Sequence, residues 1–247
     1  MHPRRIDPDE QRDDRPVDLI IVFPYGATLI KTQAGLETQL AALTEAAVDG
    51  AIGLWQQHRS AAVLFPGETC WEGLPGTTTL MMERAGQEMP AEKLVGLYAL
   101  SDGEPLNNTY IQAQAIQEYL RTHPECQRVM ITALEYHLPR VADACRARQI
   151  QADFIPVEQS LRHSDRLQSH QGPLAHISWL RGSEKLLWLF GKLDRQGRIL
   201  TMITRRYGAR HVHLVSDGAD GYRLENSTAR YKMREVQAEL GTVQPET

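Results

Sequence analysis

Cysteine is scarce. The three present, Cys70, Cys126 and Cys145, are too few and too scattered for a disulfide scaffold. None stands in a CxxC pair, which argues against a zinc knuckle. An excess of one charge sign is also missing: 27 Lys and Arg against 31 Asp and Glu leave a net charge of −4. Dedicated nucleic-acid binders usually carry a basic domain, so nucleic acid is not the expected partner. The longest apolar runs, LIIVF and AAVLF, fall far short of the roughly 20 residues of a membrane span. Residues 1–16 contain no apolar stretch of the secretory-signal kind. The expectation is therefore a cytoplasmic protein without a membrane role. Several motifs are lacking too. There is no GxGxxG, no phosphate-binding GxxxxGK, no GxSxG elbow and no HExxH.

What remains suffices for a core: 247 residues, 42% of them hydrophobic. That length fits one large domain or one domain with an addition. Residues 1–16 alternate Arg with Asp and Glu, contain three prolines and read as a disordered leader. From Val17 the pattern changes. VDLIIVF, AAVLFPGE, EKLVGLYAL, RVMITAL and QADFIPV read as strands, the first a continuous apolar run of the kind covered on both faces. Between them stand helical stretches. The first spans about Thr32 to His58, with Leu36, Leu40, Leu43, Ala47 and Leu54 on one side and Gly50 and Gly53 as weak points. TTTLMMERAG comes second, read with a threonine cap. The next is TYIQAQAIQEYLRTH with Asn108 as N-cap, then LPRVADACRARQ with Pro139 in its first turn.

Five strands alternating with helices predict a doubly wound, mainly parallel five-stranded α/β sheet over residues 17–158, with right-handed crossovers. Residues 159–247 read as a C-terminal addition packed on the same domain. RHSDRLQSHQGP reads as a loop, and the Trp- and Leu-rich stretch from His176 to Leu200 as a helix. HVHLVSDGADGYRLENS reads as a β-hairpin. The apolar helix packs on the sheet or joins two copies as a homodimer.

Ligands of such sheets bind beyond the carboxyl ends of the strands. The segments just past those ends place Tyr25, Gly26, Thr28, Gly67, Glu68, Thr69, Asn107, Asn108, Thr109, Thr132, Glu135, His137 and Arg140 on one rim. Asn108 and Thr109 serve either as a helix cap or as part of an anion site at a helix N-terminus. His137 and Arg140 lie three apart and can share a face. Cationic groups are unfavourable at a helix N-terminus, so the pair points to an anionic partner, or to a salt bridge with Glu135 or Glu68. His137 is the best acid–base candidate, because its reference pKa lies near neutrality. Glu68, after Gly67, is placed to meet a ribose hydroxyl or a cation, or else is a solvated loop acid. The cysteines read as buried small hydrophobes, with Cys70 beside the rim as the exception. His211 and His213 are too few to hold a metal, and no metal is expected.

In this order and spacing, DLIIVFPYG, VLFPGE, NNTYIQAQAI and ITALEYHLPRVADACRARQ resemble the YdcF/SanA/ElyC-like family over roughly residues 17–157. GSEKLLWLFGKL is similar to the helical ending of many members. The resemblance implies a Rossmann-like fold and makes S-adenosylmethionine a candidate ligand. The sequence supports two readings of function. In the first, Tyr25, Gly26, Gly67, Asn108, Thr109 and Arg140 bind a small anionic or nucleotide-like molecule. His137, with Glu68 or Glu135, then catalyses its hydrolysis or group transfer, methyl transfer included. In the second, the same rim is a non-catalytic binding module that signals through residues 170–247 to a protein partner.

Overall fold

The computed structural model describes residues 16–32, 35–67, 74–103, 106, 108–175, 213–216 and 222–225. In chain order the elements are β1 (Leu19–Val22), β2 (Ala27–Thr32), β3 (Gly35–Leu40), α1 (Ala42–Gln57), β4 (Ala62–Pro66) and α2 (Thr77–Gly86). They continue with β5 (Leu94–Leu97), α3 (Thr109–Thr122), β6 (Val129–Ala133), α4 (Leu138–Ala147), β7 (Asp153–Pro156) and α5 (Val157–His163). Last come α6 (Gln171–Ala175), β8 (His213–Ser216) and β9 (Tyr222–Glu225), with short 3-10 turns at Ala91–Lys93 and Leu167–His170.

The main sheet has five strands in the order β5-β4-β1-β6-β7, and every neighbouring pair is parallel. Parallel strands need crossover helices, which cover both faces and leave the central strands no solvent side. All four residues of β1 and all five of β6 are accordingly buried. Alternation along the strands splits the core in two. Ile20, Val22, Val63, Phe65 and Met130 face α1, α2 and α5. Leu19, Ile21, Leu64, Ile131 and Ala133 face α3 and α4. Strand order reverses between β1 and β6, so the switch point where such sheets open a crevice lies between their carboxyl ends.

A hairpin corrects the expected long first helix. Of the residues read as helical, Thr32 ends β2 and Gly35–Leu40 forms β3, the two strands pairing antiparallel from Ala27 with Leu40 to Thr32 with Gly35. The physical reason is a shared spacing. Leu36 and Leu40 are four apart, which satisfies a helix face and, as twice the strand period, a strand face equally. The glycines that weakened the rest of the helix prediction have a packing role. A Cβ on Gly53 would lie 2.7 Å from Ser164 Oγ, and one on Gly50 would lie 3.2 Å from Val157 Cγ1. They let α1 and the α5 segment approach closely.

The segment read as a loop after residue 158 is largely helical, in α5, the turn at 167–170 and α6. Two of its polar residues find partners far along the chain. Arg166 forks onto both oxygens of Glu88, at 2.9 Å for one of them. His170 Nε2 lies 3.0 Å from buried Asp49 Oδ2, and Arg84 pairs with Asp49 Oδ1 at 2.7 Å. Helix α2 begins at Thr77 after Gly76, with no side-chain cap, so the expected threonine cap is also corrected. The C-terminal hairpin is present as β8 and β9, and β9 pairs with β2, giving a second sheet ordered β3-β2-β9-β8. The leader over 1–15 and the apolar helix over 176–200 lie outside the described residues. Among the described residues, no helix is long and apolar enough to cross a membrane.

Candidate functional site

The rim is built from the segments that leave β1, β4 and β6. After β1 the chain stays tied to β6, with Phe23 N–H donating to Thr132 O at 3.0 Å. Pro24, Tyr25 and Gly26 then cross the sheet end toward β2. Thr44, in the first turn of α1, holds this crossing. Its hydroxyl accepts from Tyr25 N–H at 2.9 Å and donates to Gly26 C=O at 2.6 Å. Gly67, just after β4, has φ of +141°, and a Cβ there would lie 2.8 Å from Pro24 Cγ and 3.1 Å from Gln112 Nε2. Only glycine lets the two strand ends come this close. The expected positions Glu68, Thr69, Cys70 and Asn107 lie outside the described residues.

Asn108 and Thr109 are both buried. The Asn108 side-chain oxygen accepts from Tyr110 N–H at 3.0 Å and Ile111 N–H at 3.1 Å. This is the N-cap geometry, and it occupies two of the donors an anion would need at α3. The α4 start differs. Leu134 C=O takes the N–H groups of His137 and Leu138, His137 C=O takes those of Arg140 and Val141, and Pro139 has none. The backbone here has no donor to spare. What α4 offers the rim is side chains.

Those side chains are His137 and Arg140, at 3% and 8% exposure. Arg140 Nη2 stands 3.2 Å from His137 Nδ1. A guanidinium only donates, so Nδ1 accepts and the ring proton resides on Nε2. In this contact the imidazole is neutral and carries its proton on Nε2. Tyr25 packs edge-on against it with centroids 6.4 Å apart, and against Tyr136 at 5.9 Å. Aromatic rings thus border the imidazole.

Glu135 is exposed, and among the described residues its carboxylate makes no hydrogen bond to His137. Its backbone N–H instead donates to Glu158 Oε2 at 2.9 Å. Glu158 is a rim residue that sequence reasoning missed. Burial pushes its carboxyl above the ordinary value, and the Glu135 charge adds to this, against hydrogen bonds from backbone N–H groups. Nothing in its local sequence shows that α5 folds back beside the β6–α4 loop.

Thr132 is the other unexpected feature. It precedes the last residue of β6, is 0% exposed, and among the described residues its hydroxyl has no hydrogen-bond partner. By strand alternation it shares the face of Met130, beneath the Tyr25 crossing. Among the described residues, no three His, Cys, Asp or Glu side chains are grouped as a metal would require. The thiol of buried Cys145 is pushed up to about 12 by desolvation, which makes it inert as a nucleophile. The chain matches no protein-family model, no curated protein and no solved structure.

Proposed function

We propose that the crevice between the carboxyl ends of β1 and β6 binds a small anionic or nucleotide-like molecule. The observation that carries this reading is the buried Arg140–His137 pair at the switch point. A guanidinium screened from water at a strand end is a strong partner for a carboxylate or phosphate. The His137 ring stands beside it, and Tyr25 and Tyr136 supply flat apolar surface for a ring. The resemblance to the YdcF/SanA/ElyC-like family makes S-adenosylmethionine one compound to test.

The reaction fitting this arrangement is hydrolysis or group transfer, with His137 as acid–base residue. Acid–base work at Nε2 requires Nδ1 to be released. An anionic group that draws Arg140 onto itself would release it, coupling binding to activation of the ring. A second reading has its own support. While Arg140 holds Nδ1, the ring is a fixed donor, which suits a module that binds without turnover.

The test is a thermal-shift screen of phosphorylated and nucleotide-like compounds, S-adenosylmethionine included, on wild type and Arg140→Gln. Ligand at 100 times its dissociation constant should add about 2.7 kcal/mol of stability. A shift lost in the variant supports the reading; a shift retained in full refutes it. Product formation from the bound compound, abolished in His137→Gln, separates enzyme from module.

A further inference from the structure

The anion subsite expected at α3 is occupied by the Asn108 cap, and the α4 start has spent its backbone donors. Helix α2 is different. Its ten residues open after Gly76 with no side-chain cap, no acidic residue stands in the first turn, and three threonines in a row begin it. The first-turn N–H groups of a helix lack intrahelical acceptors and carry the positive end of its dipole. Thr77 is 1% exposed, and among the described residues its hydroxyl has no hydrogen-bond partner. Side chains lean toward the helix N-terminus, so at the first helical position this hydroxyl leans toward the mouth formed by those N–H groups. The start of α2 also belongs to the rim. Thr78 Oγ donates to the C=O of Leu97, the last residue of β5, at 3.2 Å, and Thr38 Oγ donates to Pro75 C=O at 2.9 Å.

We infer that the N-terminus of α2 is an oxyanion subsite of the rim, taking a phosphoryl group on the N–H groups of Thr77, Thr78 and Thr79 and on the Thr77 hydroxyl. This rests on the reading of the rim as a ligand site and names the ligand class more closely. Helix α2 packs over β4 and β5, whereas His137 and Arg140 stand at β6. Two to three strand spacings separate them, about 10–15 Å. One ligand touching both is therefore a phosphorylated compound of nucleotide length, with its phosphoryl group at α2 and its other end between Tyr25 and Arg140.

The experiment is an amide NMR titration of the full chain with inorganic phosphate at constant ionic strength. Saturable shifts of the Thr77, Thr78 and Thr79 amides are expected. Thr77→Val should weaken the midpoint roughly tenfold, the effect of one hydrogen bond to a charged group, and Thr77→Ser should restore it. Shifts confined to His137 and Arg140, or equal midpoints in wild type and Thr77→Val, overturn the subsite while leaving the rim reading standing. A response at 77–79 in wild type and in Arg140→Gln, with nothing at 137 and 140, supports the subsite and removes the proposed role of Arg140. Silence at both overturns both.

Discussion

Replacing Thr132 by valine should make the protein more stable. The two side chains have nearly the same shape, and both are β-branched, so rotamer restriction and strand preference barely change. What changes is one hydroxyl, at a residue with 0% exposure and, among the described residues, with no partner for its oxygen. An enclosed hydroxyl without a hydrogen bond costs about 1–3 kcal/mol by protein mutational data. Removing it should return about 1–2 kcal/mol, because part of that cost persists as imperfect packing of the added methyl. For a chain of this size the melting temperature should rise by about 2–8 °C. Urea unfolding gives the free energy directly, and an unchanged m-value shows that valine left the compactness of both states alone. A fall in stability would refute the reasoning, since it would mean that the hydroxyl is satisfied in the folded protein. The same variant bears on function. If the crevice holds a ligand that hydrogen-bonds this hydroxyl, Thr132→Val binds it more weakly while unfolding later, the opposition expected where a site retains an unfavourable group for use.

Gly67→Ala should cost about 2–5 kcal/mol, combining backbone strain at φ of +141° with overlap onto Pro24; a loss under about 1 kcal/mol in urea titration would contradict that geometry. Hydrogen bonding from Arg166, helped by Arg84, holds the Glu88 carboxyl down to about 2. A depressed carboxyl stabilises the fold above its unfolded value near 4.5 and loses that contribution as pH falls toward 2. Glu88→Gln should therefore be less stable by about 1 kcal/mol at pH 7, discounted for solvent screening, and the difference from wild type should vanish near pH 2 in acid titrations. Nitrogen NMR of His137 should show the Nε2–H tautomer in wild type and a mixture in Arg140→Gln; a protonated Nδ1 in the wild-type ring would rule out acceptance from Arg140.

The parts of the fold legible in the sequence are those whose signal is local and unambiguous. The runs LIIV and VMITA read as strands because a strand covered on both faces leaves no polar alternation. Asn108 reads as a cap because its short carboxamide reaches the N–H groups two and three residues on. The β2–β3 hairpin was hidden because spacing by four serves both periods. The helices after β7 were hidden because their polar residues find partners far along the chain, Glu88 for Arg166 and Asp49 for His170. At the site, spacing alone brought His137 and Arg140 together. Their burial, the loss of α3 as an open N-terminus, and the solitary hydroxyls of Thr77 and Thr132 depend on which elements pack above them. No local pattern encodes that.

The hairpin between β1 and α1 also explains why the glycine fingerprint is missing. In dinucleotide-binding sheets a tight turn after the first strand lets the backbone approach the pyrophosphate at the next helix. Here that turn is replaced by an excursion through β2 and β3, and the Tyr25 N–H and Gly26 C=O are committed to Thr44. Pro24 fills the space above Gly67 that an approaching phosphate would need. Glycines at the usual positions would therefore gain nothing, since the backbone they would expose is already bonded. Under the proposed function, an anionic ligand is met from the flanks of the switch point, by Arg140 on the β6 side and by the opening of α2 on the β4 side. On that argument the close approach at Gly67 serves to hold β1 and β4 together, and under the proposed function recognition of charge falls to a side-chain cation and a different helix.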